Sequence, residues 1–144
     1  MVDLLFVYGT LMQDFSSEIT QVLRSKSKFI GEGWISGTLY DLGSYPGLVY
    51  MAGMEDKVRG EIYQMYRPEL LLPVLDYYEM MDPAQPAANE YNRSLLPIRS
   101  AGQIMECWTY IYQQSVAGLP KITSGDYRSY FSQNPNHQDF IDKN

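Results

Sequence analysis

The chain has 144 residues, 45% of them apolar and 19% charged, with a net charge of −6. Such a length and composition suit one globular domain spanning residues 1–144 and exclude a disordered or fibrous chain. The acidic balance argues against a nucleic-acid partner, and no apolar stretch approaches the roughly 20 residues of a membrane span.

The single cysteine, Cys107, leaves no internal disulfide, and Asp3 stands where a signal peptide carries basic residues. A reducing cytoplasm is therefore the expected compartment. The first apolar run, Leu4 to Val7, reads as a central strand over 3–8 that stops on Tyr8, Gly9, Thr10 and Leu11. A glycine there makes either a plain turn or a backbone cradle whose N–H groups face a ligand. The residues themselves leave both open.

"SSEITQVLRSKSKF" follows as a helix, with Ser16 or Ser17 as N-cap, Ile19, Val22 and Leu23 at helical spacing, and Lys26 and Lys28 at its end. Its cations, "RSKSKF", read as a solvated helix end rather than a phosphate site. Next, "FIGEGWISGTLYDLGSYPGLVYM" predicts a glycine-rich strand pair turning at 43–47. Gly31, Gly33 and Gly37 within it suggest bulges or the corners of a small barrel. "KVRGEIYQMY" alternates, with Ile62 and Gln64 on one face and Glu61, Tyr63 and Met65 on the other.

"PELLLPVLDYYEMM" predicts a second helix starting at Pro68 or Pro73. The loop 82–89 carries Pro83, Pro86 and Asn89 and resists a regular assignment. "EYNRSLLPIRS" and "QIMECWTYIYQ" form a strand pair joined by Ala101 and Gly102, with Met105, Cys107, Thr109 and Ile111 opposite Trp108, Tyr110 and Tyr112. "SGDYRSYFSQN" reads as a short capped helix, followed by a fraying tail. Strands not separated by regular helices point to an α+β fold, a small mixed β-barrel with two main helices and a short C-terminal one.

Elimination narrows the chemistry. The only histidine, His137, lies in the polar tail, Cys107 reads as a buried structural thiol, and neither zinc-ligand spacing nor a nucleotide-binding glycine motif occurs. No metal and no cofactor are expected, and acid–base work falls to a carboxylate, lysine or tyrosine. Asp76 and Glu79 share a helix face, and Glu79 lies in the last turn among Leu75, Tyr78 and Met80. Helix dipole, neighbouring carboxylate and apolar setting would all raise its pKa; a solvated helix end is the competing reading. Glu61, Glu90 and Glu106 are rivals without such a setting.

In this order, "FVYGTLM", "YPGLV", "VRGEIYQM", "LDYYE", "EYNRSLLPI" and "CWTYIY" resemble the gamma-glutamylcyclotransferase-like family, which includes gamma-glutamylamine cyclotransferase and the plant AIG2-like proteins. The similarity spans about residues 4–112, and "SGDYRSYF" is similar to bacterial members. The resemblance implies a barrel with a pocket at one mouth and decides for the cradle, with Tyr8, Gly9, Thr10 and Leu11 lining the substrate site. It implies Glu79 as the acid–base residue, Tyr91 as a pocket wall and Arg93 as a structural ion-pair partner. The implied reaction is cyclisation of a small gamma-glutamyl compound to 5-oxoproline, releasing an amine or amino acid.

A non-catalytic module holding a small ligand or peptide in the same pocket is the alternative. Nothing demands more than a monomer or weak homo-oligomer; Met12, Met51 and Met54 read as ordinary core or surface rather than a contact patch.

Overall fold

A computed structural model describes residues 1–13, 15, 17–43, 45–53, 55–79 and 90–132. The readings for Ser16, Met54, Met80, Met81, the loop 82–89 and His137 lie outside these residues. Along the chain run β1 (Leu4–Val7), α1 (Glu18–Ser25), β2 (Ser27–Asp41), β3 (Pro46–Tyr50), β4 (Lys57–Met65), α2 (Pro68–Tyr78), β5 (Tyr91–Ser100), β6 (Gln103–Tyr112) and α3 (Tyr127–Phe131).

The sheet order is β3-β2-β4-β1-β6-β5, and a further pairing of β2 with β5 closes five strands into a ring with β3 appended to β2. Only β1 and β6 run parallel; the other ladders are antiparallel. The result is the small mixed barrel that the glycines predict. Closure occurs at Trp34 opposite Arg99. There a Cβ on Gly33 would lie 2.8 Å from Ile98 Cγ2 and 3.0 Å from the Arg99 carbonyl oxygen, so only glycine lets β2 and β5 approach. A register shift between Phe29 and Gly31 bends β2 beforehand.

Ile35, Val58, Ile62, Ile98 and Cys107 are fully buried in the core. Burial also pushes the Cys107 thiol up to about 12, which suits a structural thiol. Met12 is core and Met51 exposed.

One local reading is corrected and two open ones are resolved. α1 ends at Ser25 with Lys26 as its C-cap, so Lys28 belongs to β2, and Arg24 is the cation in the last turn. Ser17 caps α1, its hydroxyl accepting from the Thr20 amide while Thr20 Oγ1 accepts from the Ser17 amide. In α2 Pro68 takes the first position and Pro73 sits inside the helix, on its exposed side.

β4 does not split cleanly into two faces either. Val58, Gly60, Ile62, Glu61, Tyr63 and Met65 are all buried, because the side away from the barrel is covered too; Gln64 alone of the predicted pair is exposed. Part of that cover is α3. Its Asp126 cap accepts from the Arg128 amide, and Phe15 packs edge-on against Phe131 at 4.7 Å. No helix among the described residues is long and apolar enough to cross a membrane.

Candidate active site

β1 delivers its last residues to one end of the barrel. Met12 N donates to Gly9 O at 3.2 Å, closing a turn with Thr10 and Leu11 at its apex. Among the described residues neither of those two amides donates to a carbonyl. Gly9 is needed for space, since a Cβ would stand 3.0 Å from Pro46 Cγ. Gly9 is thus part of a turn, and its close approach is to Pro46.

A cavity of about 190 Å³ opens beside this turn, lined by residues 6–11 together with Tyr45, Pro46, Tyr78, Glu79, Glu90, Tyr91 and Tyr110. All six residues expected at the site, Tyr8, Gly9, Thr10, Leu11, Glu79 and Tyr91, line it. The tyrosines build a rigid frame. Tyr8 donates to Tyr110 O at 2.7 Å and accepts from the Leu48 amide at 3.2 Å, while Tyr91 donates to Pro46 O at 2.6 Å. Burial, joined by the charge of Glu79, holds the Tyr8 phenol protonated well above its ordinary range, and burial does the same for Tyr91. Both therefore serve as walls whose donors are already spent. Thr10 Oγ1 and Tyr78 Oη lie 3.1 Å apart and tie the turn to α2.

Glu79 is the C-cap of α2, its amide still bonded to Leu75 O. Its carboxylate faces the cavity and makes no hydrogen bond among the described residues. Burial raises it to about 8, helped first by the charge of Glu90 and then by that of Asp76. The expected neighbour, Asp76, is the weaker influence for a visible reason. Arg93 grips it with Nε to Oδ1 at 2.8 Å and Nη2 to Oδ2 at 2.9 Å, and Tyr110 donates to Oδ1 at 2.6 Å. Arg93 also lies over Trp108, 4.6 Å from the ring centre. It is the ion-pair partner expected of it.

Two rivals are corrected. Glu90 lines the same cavity as Glu79, held by a 2.6 Å hydrogen bond from the Tyr45 hydroxyl. Glu61 is buried, accepting from the Gln13 amide and the Tyr63 hydroxyl, but lies outside the cavity lining. Glu106 is exposed. Tyr45, Tyr78 and Tyr110 are lining residues that the sequence reading did not assign to the site, and Glu90 entered it only as a rival base. Tyr110 had a signal, since it shares a β6 face with Trp108 and Tyr112. Glu90 had none, because it precedes the β5 ladder, where alternation no longer assigns a face.

The family model for gamma-glutamyl cyclotransferase, AIG2-like, matches residues 5–129, a span that includes every lining residue of this cavity. The chain belongs to this family. It is 32% identical over 126 residues to the gamma-glutamylcyclotransferase family protein YtfP of Escherichia coli K12, covering 85% of this chain and 94% of that one. The solution structure of Escherichia coli ytfP superposes with a TM-score of 0.62 at 29% identity, over 89% of this chain and 98% of that one. An AIG2-like protein from Mus musculus superposes with a TM-score of 0.63 at 27% identity, over 83% and 84% of the two chains. The gamma-glutamylcyclotransferase-like barrel is thus shared across bacterial and mammalian relatives.

Proposed function

We propose that the protein cyclises a small gamma-glutamyl compound to 5-oxoproline and releases the amine or amino acid attached to its γ-carbonyl, with Glu79 as general base and acid. The observation that carries this reading is a cavity-facing carboxylate, without a hydrogen-bond partner among the described residues and raised to about 8, set across from a turn with two undirected amides. The cavity volume of about 190 Å³ suits a glutamyl-sized group, since a cavity of ~150 Å³ already admits benzene.

The nucleophile in this reaction is the substrate's own α-nitrogen, so the protein needs no nucleophile of its own. The walls Tyr8 and Tyr91 would hold the glutamyl chain curled, bringing nitrogen and γ-carbon into line; alignment of that kind replaces a large entropy loss. Glu79 takes one proton from the α-ammonium, the freed amine attacks the γ-carbon, and charge gathers on the carbonyl oxygen. The Thr10 and Leu11 amides are the donors we assign to that oxygen or to the substrate carboxylate. Glu79 then protonates the departing nitrogen, the old C–N bond breaks, and the second ammonium proton leaves on the released amine. A carboxylate with a raised pKa serves both directions.

The test is 5-oxoproline release from gamma-glutamyl amino acids, gamma-glutamyl amines and glutathione, with Glu79→Gln alongside. Product from at least one class, lost in a folded variant, supports the reading. Binding without product across the panel would instead make the protein a small-ligand module.

A further inference from the structure

Among its described lining residues the cavity holds two carboxylates, Glu79 and Glu90, and no lysine, arginine or histidine. The nearby cation, Arg93, is committed to Asp76 through both of its bonds. Glu90 is fixed at three points. Its side chain accepts from Tyr45 at 2.6 Å, its carbonyl accepts from the Gln113 amide at 2.9 Å, and it leads directly into β5 at Tyr91. Tyr45 is itself held where Leu42 N donates to its carbonyl at 3.0 Å, and its ring lies 6.4 Å from that of Tyr91. One oxygen of Glu90 is engaged by Tyr45; the other accepts no hydrogen bond among the described residues. A negative group is thus built into the wall with an open acceptor, and Glu79 already supplies the base.

Every gamma-glutamyl compound brings the same α-ammonium and α-carboxylate, which offset each other. Compounds differ in charge only in the portion that leaves. We propose that Glu90, positioned by the Tyr45 hydroxyl, is a specificity-determining residue that selects by the charge of the leaving portion: cationic over neutral over anionic. The Glu90 carboxylate, fixed in a small and partly desolvated cavity, repels a second anion and attracts a cation, and among the described lining residues no cation offsets it. The charge selection rests on the cyclisation reading for its effect on turnover, but its effect on binding is independent of that reading.

Three probes of similar size decide it: the gamma-glutamyl conjugates of 1,4-diaminobutane, propylamine and alanine. For each, Kd by calorimetry and kcat/KM by 5-oxoproline release are measured on the wild type, Glu90→Gln, Glu90→Asp and Tyr45→Phe. The wild type should rank them in that order, and Glu90→Gln should compress the spread between cationic and anionic probes by roughly tenfold. Glu90→Asp should keep the order, and Tyr45→Phe should weaken it without abolishing it. A merely structural Glu90 would alter all three probes alike. An unchanged spread in Glu90→Gln, or a wild type that favours the alanine conjugate, overturns the proposal. A charge order in Kd that collapses in Glu90→Gln, with no product from any probe, upholds it and overturns the cyclisation reading. No binding and no product overturns both. Should Glu90→Gln fail to fold, an unchanged spread in Tyr45→Phe is the overturning result.

Discussion

Glu79 brings its desolvation into contact with both activity and stability. Its carboxyl is raised to about 8 by burial, Glu90 and Asp76. The proposed reaction needs Glu79 ionised, so kcat/KM should climb with pH through a limb near 8 and level off above it, as a pH profile would show. Replacing it by glutamine should lower kcat by about 10²–10⁴-fold, the usual worth of a positioned proton-transfer group. Stability moves the other way. Between the ordinary carboxylate pKa and about 8 the folded chain holds a proton that the unfolded chain has lost, so folding weakens as pH rises through that window. Glu79→Gln removes the penalty. At about pH 9 it should be more stable than the wild type by about 1–3 kcal/mol, allowing for the side chain's partial exposure, and near pH 4 the two should unfold alike. A variant equally stable at both ends would show that the carboxyl is not desolvated. That Glu79 sits in a special place was legible in "LDYYE", but the stronger of its two charged neighbours was not. Glu90 lies eleven residues further on, and only the folded chain brings it to the same cavity.

At the scale of elements, local rules carried most of the reading and failed where tertiary cover overrode them. The β5–β6 pair was legible because the two-residue connection, Ala101 at φ 50° and Gly102 at φ 78°, has the positive angles of a primed hairpin turn. Ten paired positions follow in register, from Tyr91 opposite Tyr112 to Ser100 opposite Gln103. Clean alternation in β4 was not to be had, since Glu61, Tyr63 and Met65 are hidden by chain segments that the strand itself cannot announce. The hairpin invites a stabilising change. Ala101 is the one described non-glycine residue at positive φ, a conformation that asparagine tolerates better than alanine. Ala101→Asn should therefore raise stability by about 0.5–1 kcal/mol, a gain in Tm of about 2–4 °C, with activity unchanged because the turn lies at the end of the hairpin away from Tyr91. Thermal unfolding at neutral pH checks it; a lower Tm would mean that the turn depends on alanine for packing.

For the whole molecule, the glycines were the clearest sign of a barrel, yet which strands close it was not written in them. Closure joins β2 to β5 across a long separation in sequence, and it is marked by a single register pair, Trp34 and Arg99. Strand periodicity says which residues face inward but not which edges meet, so the ring had to come from the folded chain. The seam also carries the site, because β5 begins with Tyr91 and is preceded by Glu90, while α2 delivers Glu79 from the other side. Gly33→Val tests that dependence. Its Cβ would meet Ile98 Cγ2 at 2.8 Å, Arg99 O at 3.0 Å and Ile62 Cδ1 at 3.0 Å, and a backbone oxygen yields only if β5 moves. The expected cost is about 2–4 kcal/mol, read as a fall in Tm, and below that Tm the folded fraction should turn over more slowly than the wild type. Lost stability with full kcat would mean that the seam holds the barrel without positioning the site. If both fall together, and the Glu79 limb of the pH profile shifts as Glu90 moves away, one strand contact sets the fold, the cavity wall and the proton affinity of the base.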